Sequence, residues 1–138
     1  MMQAAGILIY QDGKILGFMR TGKKNPGLGI PFGKVERNET PKQAALRELK
    51  EECGVCANLL PDPPFVTTDS LFGMRVWTFR AELIPNQTLV GKPDEGYPVW
   101  VTPQEAVSGP YWYYQQRMLK HFGFDIQERQ PMTSNPID

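Results

Sequence analysis

The hydrophobic and polar positions follow two different periods along the chain. Ala4 to Tyr10 is a short apolar run carrying Ile7 and Ile9, which predicts a buried strand. Gln11-Asp12-Gly13-Lys14 marks a hairpin turn, and Lys14 to Arg20 is the returning strand. Thr21 to Gly29 is a loop holding Lys23 and Lys24, and Ile30 to Lys34 leads into the next element. The period then becomes helical, with Ala45, Leu49 and Cys53 on one stripe and Leu46 beside it. Both ends of this helix are marked. Thr40 and Gln43 form a Thr-x-x-Gln capping box, Pro41 suits the first helical position, and Gly54 is a natural terminator. A helix over about 41–53 follows.

Beyond it, Ala57 to Leu60 reads as a short strand, broken by Pro61-Asp62-Pro63-Pro64. Leu71 to Leu83 is the longest strand candidate. Phe72, Met74 and Val76 point one way, and Trp77, Phe79 and Ala81 the other. A strand apolar on both faces is covered on both faces, which places helical layers on either side of a sheet. Ile84 to Gly96 is a loop and Tyr97 to Val101 a strand. Thr102 caps a short helix ending at Gly109, and Pro110 and Tyr111 open a last helix to about Phe122. The polar, proline-containing stretch of about 124–138 is expected to be a loosely held tail. The pattern gives one mixed α/β domain over 1–138, with one sheet covered on both sides.

Composition narrows the function. The 138 residues carry 15 Lys+Arg against 15 Asp+Glu, so the basic footprint of a dedicated nucleic-acid or membrane-surface binder is missing. Any polyanionic ligand must be held by a local site. No run is long enough to span a membrane. Met1 to Tyr10 lacks the basic flank of a signal peptide, which gives a cytoplasmic expectation. Cys53 and Cys56 are spaced like a redox pair, but Cys53 lies at a helix C-terminus, where the dipole disfavours thiolate, so two ordinary thiols are expected. The single histidine, His121, sits among aromatics and is read as a packing or surface residue.

The polar face of the central helix is electrostatically costly. Glu48, Glu51 and Glu52 stand at i, i+3 and i+4 in the last turns, where the dipole already places negative charge. Arg47 can pair with Glu51 but does not neutralise three carboxylates. A hard divalent cation would, since Mg²⁺ takes carboxylate oxygens together with substrate phosphates. Taken alone, Glu-x-x-Glu-Glu is more often a solvated face. Without metal, Glu52→Gln is expected to leave the protein as stable or more so.

The spacing changes that weighting. Gly33, Glu39, Arg47, Glu48, Leu49, Glu51, Glu52, Gly54 and Val55 fit the pattern Gly-x5-Glu-x7-Arg-Glu-apolar-x-Glu-Glu-x-Gly-apolar with none missing. Seven fixed residues at ordinary usage coincide by chance with odds on the order of 10⁻⁸. The stretch from Gly33 to Val55 closely resembles the Nudix box. The resemblance implies an α/β/α sandwich with a mixed sheet, and hydrolysis of a nucleoside diphosphate linked to another group with Mg²⁺ or Mn²⁺. It implies Glu51 and Glu52 as metal ligands, Glu48 as ligand or general base, and Arg47 as the residue that holds the glutamates. Glu39 is expected to fasten the loop. The backbone carbonyl of Phe32 stands where the family has a metal-ligating carbonyl. Phe32 and Leu28 replace the family's usual glycine and aromatic residue.

Asp94-Glu95-Gly96-Tyr97-Pro98, with Trp100, is similar to the Glu-Gly-x-Pro stretch of MutT-type members, which makes Glu95 a further metal or proton site. Arg20, Lys23 and Lys34 are candidates for substrate phosphates. The Tyr111 to Tyr114 cluster is either core packing or a base-stacking face. The resemblance favours a (d)NTP pyrophosphohydrolase acting on a small nucleotide, as a monomer or homodimer. The alternatives are a nucleoside diphosphate sugar hydrolase, including one for ADP-ribose, and a non-catalytic nucleotide sensor.

Overall fold

The computed structural model describes residues 2–22, 26–69 and 73–130. In chain order the elements are β1 (Gln3–Gln11), β2 (Lys14–Arg20), β3 (Gly27–Gly29), β4 (Phe32–Lys34), α1 (Pro41–Cys53), β5 (Ala57–Leu59), β6 (Phe65–Asp69), β7 (Met74–Leu83), β8 (Gly96–Val101), α2 (Pro103–Ala106) and α3 (Trp112–His121).

β1 is the spine. It runs parallel to β7, from Gln3 opposite Arg75 to Ile9 opposite Ala81. Along its other edge it pairs antiparallel first with β4 and then, at Tyr10 and Gln11, with β2. β2 continues outward to β3 and β8, and β7 to β5 and β6. The β1–β2 hairpin turns through Asp12 and Gly13, at φ 52° and 79°. Positive φ at both central residues matches the twist of the flanking strands.

α1 has the ends its sequence marks. Thr40 accepts from the Gln43 N–H at 3.1 Å, and the Gln43 side chain accepts from the Thr40 N–H at 2.9 Å. Gly54 takes φ 72° and its N–H returns to the Lys50 carbonyl. α1 lays Ala45, Leu49 and Cys53 on one face of the sheet, against Ile7, Ile9 and Phe79. α2 and α3 cover the other face, where Met118 and Leu119 meet Leu8, Ile15 and Val101. The result is an α/β/α sandwich around a mixed sheet.

Three strands, β3, β4 and β6, fall where the sequence pattern assigns none. β3 pairs with β2 inside the expected loop. β6 follows the proline break and pairs with β7. Its β-branched Val66, Thr67 and Thr68 are the local signal for it. Leu71 and Phe72 lie outside the described residues. Phe124 packs edge-on against Tyr10 at 4.8 Å. Gln127 exchanges two hydrogen bonds with Gln104, and Arg129 donates to Gln116. The first part of the expected tail therefore has specific contacts with α2 and α3, and residues 131–138 lie outside the described residues. No described helix is long and apolar enough to cross a membrane.

Candidate active site

The polar face of α1 is organised by Arg47. Its guanidinium donates to both Glu39 oxygens at 2.7 and 3.0 Å, to Glu48 at 2.8 Å, to Glu51 at 3.2 Å and to the Lys34 carbonyl at 2.9 Å. The planar fork of arginine makes this possible, since five donors leave one centre at fixed angles. Arg47 is held more firmly protonated by these partners, Glu39 first, and Glu39 is correspondingly lowered by its hydrogen bond to Arg47. Glu39 also accepts from the Glu36 N–H at 2.9 Å, which ties the loop before α1 to the helix.

Glu48 rests on Gly33. A Cβ at Gly33 would stand 2.3–2.6 Å from the Glu48 carboxylate, so only glycine leaves this cradle open. Burial raises the Glu48 pKa; hydrogen bonding and charge from Arg47 oppose the rise, and the charges of Glu51 and Glu95 add to it. Glu51 is the most exposed of the three box carboxylates, at 45%.

Glu52 is buried, at 5% exposure. Its two oxygens accept from different donors: Oε1 from the Phe32 N–H and Oε2 from Arg20 Nη2, each at 3.0 Å. Arg20 also donates to the Phe32 carbonyl at 3.1 Å and lies 4.5 Å over the Phe32 ring. Burial pushes the Glu52 carboxyl up to about 8. Arg20 and the Phe32 N–H favour the charged form, but they do not restore the lost hydration. The expectation for Arg20 was a strand-end contact to phosphate. The structure turns it inward, at 13% side-chain exposure, onto Glu52 and the Phe32 carbonyl.

Glu95 sits in the loop before β8, half exposed and 3.4 Å from Lys92. The loop is anchored by the Thr21 N–H on the Glu95 carbonyl at 2.9 Å. Gly96 takes φ +155°, and a Cβ there would strike the Met19 carbonyl at 2.1 Å. Glycine at this place lets β8 lie against β2 and brings the Glu95 charge within range of Glu48 and Glu52. Lys34 is exposed at the end of β4, and its carbonyl is taken by Arg47. Lys23 lies outside the described residues. Cys53 is buried and free, its thiol pushed up to about 12 mainly by burial, and Cys56 is free and exposed. His121 hydrogen-bonds the Pro63 carbonyl at 3.2 Å and packs on Phe65.

The aromatic cluster divides. Tyr111 is buried and meets the Phe32 ring edge-to-face at 5.9 Å, Tyr114 hydrogen-bonds Thr78, and Tyr113 is exposed. Gln115 was not among the sequence candidates. It lies one helical turn past Tyr111, 2% exposed, and glutamine on a helix gives no local sign of burial.

The donor set suits a hard divalent cation. Glu48, Glu51, Glu52, Glu95 and the Phe32 carbonyl are all oxygen donors, and the open cradle at Gly33 holds one of them. As they stand, no three acidic, histidine or cysteine side chains among the described residues close on one point. Arg47 and Arg20 balance the carboxylates instead.

The model of the NUDIX domain family matches residues 1–122. The RNA pyrophosphohydrolase of Cereibacter sphaeroides is 37% identical over 78 residues, 51% of this chain and 48% of that protein. The 8-oxo-dGTP diphosphatase of Proteus vulgaris is 43% identical over 54 residues, 38% of this chain and 48% of that protein. The chain thus spans about half the length of the curated relatives it matches. Among solved structures, the C. elegans Ap4A hydrolase superposes with a TM-score of 0.74 at 21% identity, covering 86% of this chain and 94% of that one. At that identity the likeness is one of fold.

Proposed function

The chain belongs to the Nudix family, and from that premise we propose that it is a divalent-metal-dependent hydrolase that converts a (d)NTP and water to a nucleoside monophosphate and pyrophosphate. The observation that carries this reading is the carboxylate array of α1, held by one arginine beside an open glycine cradle. The names of two relatives, a pyrophosphohydrolase and a diphosphatase, support the same reaction class.

Glu51, Glu52, Glu95 and the Phe32 carbonyl would hold Mg²⁺ or Mn²⁺, with Glu48 as ligand or base. When bound, the metal neutralises phosphate charge and makes a water more acidic. Arg47 holds Glu48 and Glu51 in fixed rotamers, so the carboxylates need little reordering when substrate arrives. Glu48 is suited to accept the proton of the attacking water, because burial and its acidic neighbours raise its proton affinity. Lys34 supplies positive charge at the rim, and Arg20 lies behind it on Glu52. For Arg20 to reach a phosphate it must leave Glu52.

The test is a panel of nucleoside triphosphates and nucleoside diphosphate sugars with Mg²⁺, reading phosphate and pyrophosphate separately. Pyrophosphate from a triphosphate is expected. Glu51→Gln, an exposed substitution, should lower kcat by at least ~10²-fold, the scale of lost charge stabilisation in a transition state. Full turnover of Glu51→Gln, or wild-type turnover with chelator present, would end this reading.

A further inference from the structure

One nitrogen of Arg20 bridges two oxygens of the candidate metal site. Nη2 donates to Glu52 Oε2 at 3.0 Å and to the Phe32 carbonyl at 3.1 Å. The remaining contact, Nη1 to the Ile30 carbonyl, is long at 3.5 Å. The short hydrogen bonds of Arg20 thus go to metal donors alone. Arg47 differs. Both Glu39 oxygens and the Lys34 carbonyl hold it, so it keeps partners whatever Glu48 and Glu51 bind.

The grip on Arg20 is aromatic as well as ionic. Its guanidinium lies 4.5 Å over the Phe32 ring and 5.2 Å over the Phe18 ring. Phe18 is fully buried. The Phe32 ring is fixed where it lines an apolar pocket between the sheet and α3 and meets Tyr111. A guanidinium on an aromatic face is held by the ring quadrupole, apart from any carboxylate. Phe32 stands where the family pattern has glycine, so this part of the grip comes from a departure from that pattern. Arg20 also has a way out. Its partners across the strand ladders, Gly27 and Gly96, carry no side chains to fence it.

We infer that Arg20 and the divalent cation compete for Glu52 Oε2 and the Phe32 carbonyl, that the Phe32 ring weights the contest toward arginine, and that metal binding turns Arg20 out toward the mouth of the site. The inference rests on the hydrolase reading for the assignment of those two oxygens to the metal. Both cations seek the same lone pairs, and side by side on a buried carboxylate their charges repel. Arg20 in this place keeps the carboxylate paired and the carbonyl aimed, so both donors are held in position for the ion that replaces it. The outward turn is also the movement Arg20 must make to reach a phosphate.

The test follows Arg20 and the metal directly, without nucleotide. Carbon-detected NMR of the arginine guanidinium groups is recorded at pH 9, above the value of about 8 at which Glu52 gives up its proton. Arg20 is assigned by its loss from the spectrum of Arg20→Lys. A held guanidinium shows two separate Nη signals. Millimolar Mg²⁺ should merge the Arg20 pair into one and leave the Arg47 pair apart. Calorimetry then gives the Mg²⁺ dissociation constants of wild type and of Phe32→Leu, which keeps the backbone carbonyl and removes the ring face. Phe32→Leu should bind Mg²⁺ about 3- to 10-fold more tightly, the range of one partly buried cation–π contact. The wild-type spectra decide by themselves if Phe32→Leu folds poorly. Mg²⁺ binding with the Arg20 signals still apart, or an affinity unchanged or weakened in Phe32→Leu, would overturn the inference and leave the hydrolase reading to stand on turnover. Release of Arg20 by Mg²⁺ in a protein that turns over no nucleotide would uphold the inference and end that reading. No Mg²⁺ binding at all would end both.

Discussion

Removing the charge of Glu52 tests the electrostatics of the site without substrate. In the folded protein burial raises this carboxyl from 4.5 to about 8. The folded chain therefore holds the proton more tightly than the unfolded one. The stabilisation is complete below the unfolded value near 4.5 and is lost as pH rises through about 8. Each pH unit inside that window is worth about 1.4 kcal/mol. Between pH 5 and pH 7 the metal-free parent should lose on the order of 3 kcal/mol through this group. At full ionisation the loss should approach ~5 kcal/mol.

Glu52→Gln does not titrate, so it is free of this loss. It carries a separate, pH-independent cost. Glu52 serves two donors with two oxygens, the Phe32 N–H and Arg20. Glutamine has one carbonyl oxygen, so one donor loses its acceptor, at about 1 kcal/mol. The diagnostic quantity is therefore the difference in melting temperature, variant minus parent, followed from pH 5 to pH 8 in EDTA. It should grow by roughly 10 °C, taking about 3–4 °C per kcal/mol for a domain of this size. Other groups titrate in both proteins and largely cancel. Millimolar Mg²⁺ should raise the parent's melting temperature more than the variant's, since it binds the folded cluster and not the unfolded chain. A difference that stays flat or shrinks with pH would mean that Arg20 outweighs burial and keeps Glu52 ionised.

Two further outcomes follow from the same geometry. Gly33→Ala places a Cβ where the Glu48 carboxylate lies; the carboxylate is the free end of a flexible side chain, so it should swing aside with less than ~1 kcal/mol lost in urea unfolding, while kcat falls by at least ~10-fold. A variant that unfolds, or one with unchanged kcat, would show that the cradle does not position Glu48. Glu95→Gln should lower kcat more than it raises KM, the mark of an interaction made in the transition state, and unchanged steady-state kinetics would return Glu95 to the solvated loop.

The local sequence determined α1 to the residue at both ends. Its capping box, its proline and its left-handed glycine all act within one turn. The same holds for the β1–β2 turn, where Asp12 and Gly13 take the conformation that only a few residue types tolerate. The box spacing also determined the family, because clustered carboxylates at helical intervals leave an arithmetic trace. Tertiary structure decided what those carboxylates face. Glu52 and Arg20 are 32 residues apart and meet because β4 and β2 pair in turn with β1 while α1 packs on β1 and β4. No periodicity in either segment encodes that meeting. Phe32, a departure from the family pattern, acquires its place from the same crossing, with its backbone at the acidic site and its ring in the apolar pocket. Gln115 is the clearest case. On a helix glutamine is at home in water, and only the packing of α3 over β4 and β7 encloses its amide beside the acidic site. Hydrophobic pattern is a property of neighbours along the chain, whereas desolvation and charge pairing depend on which distant segments come together.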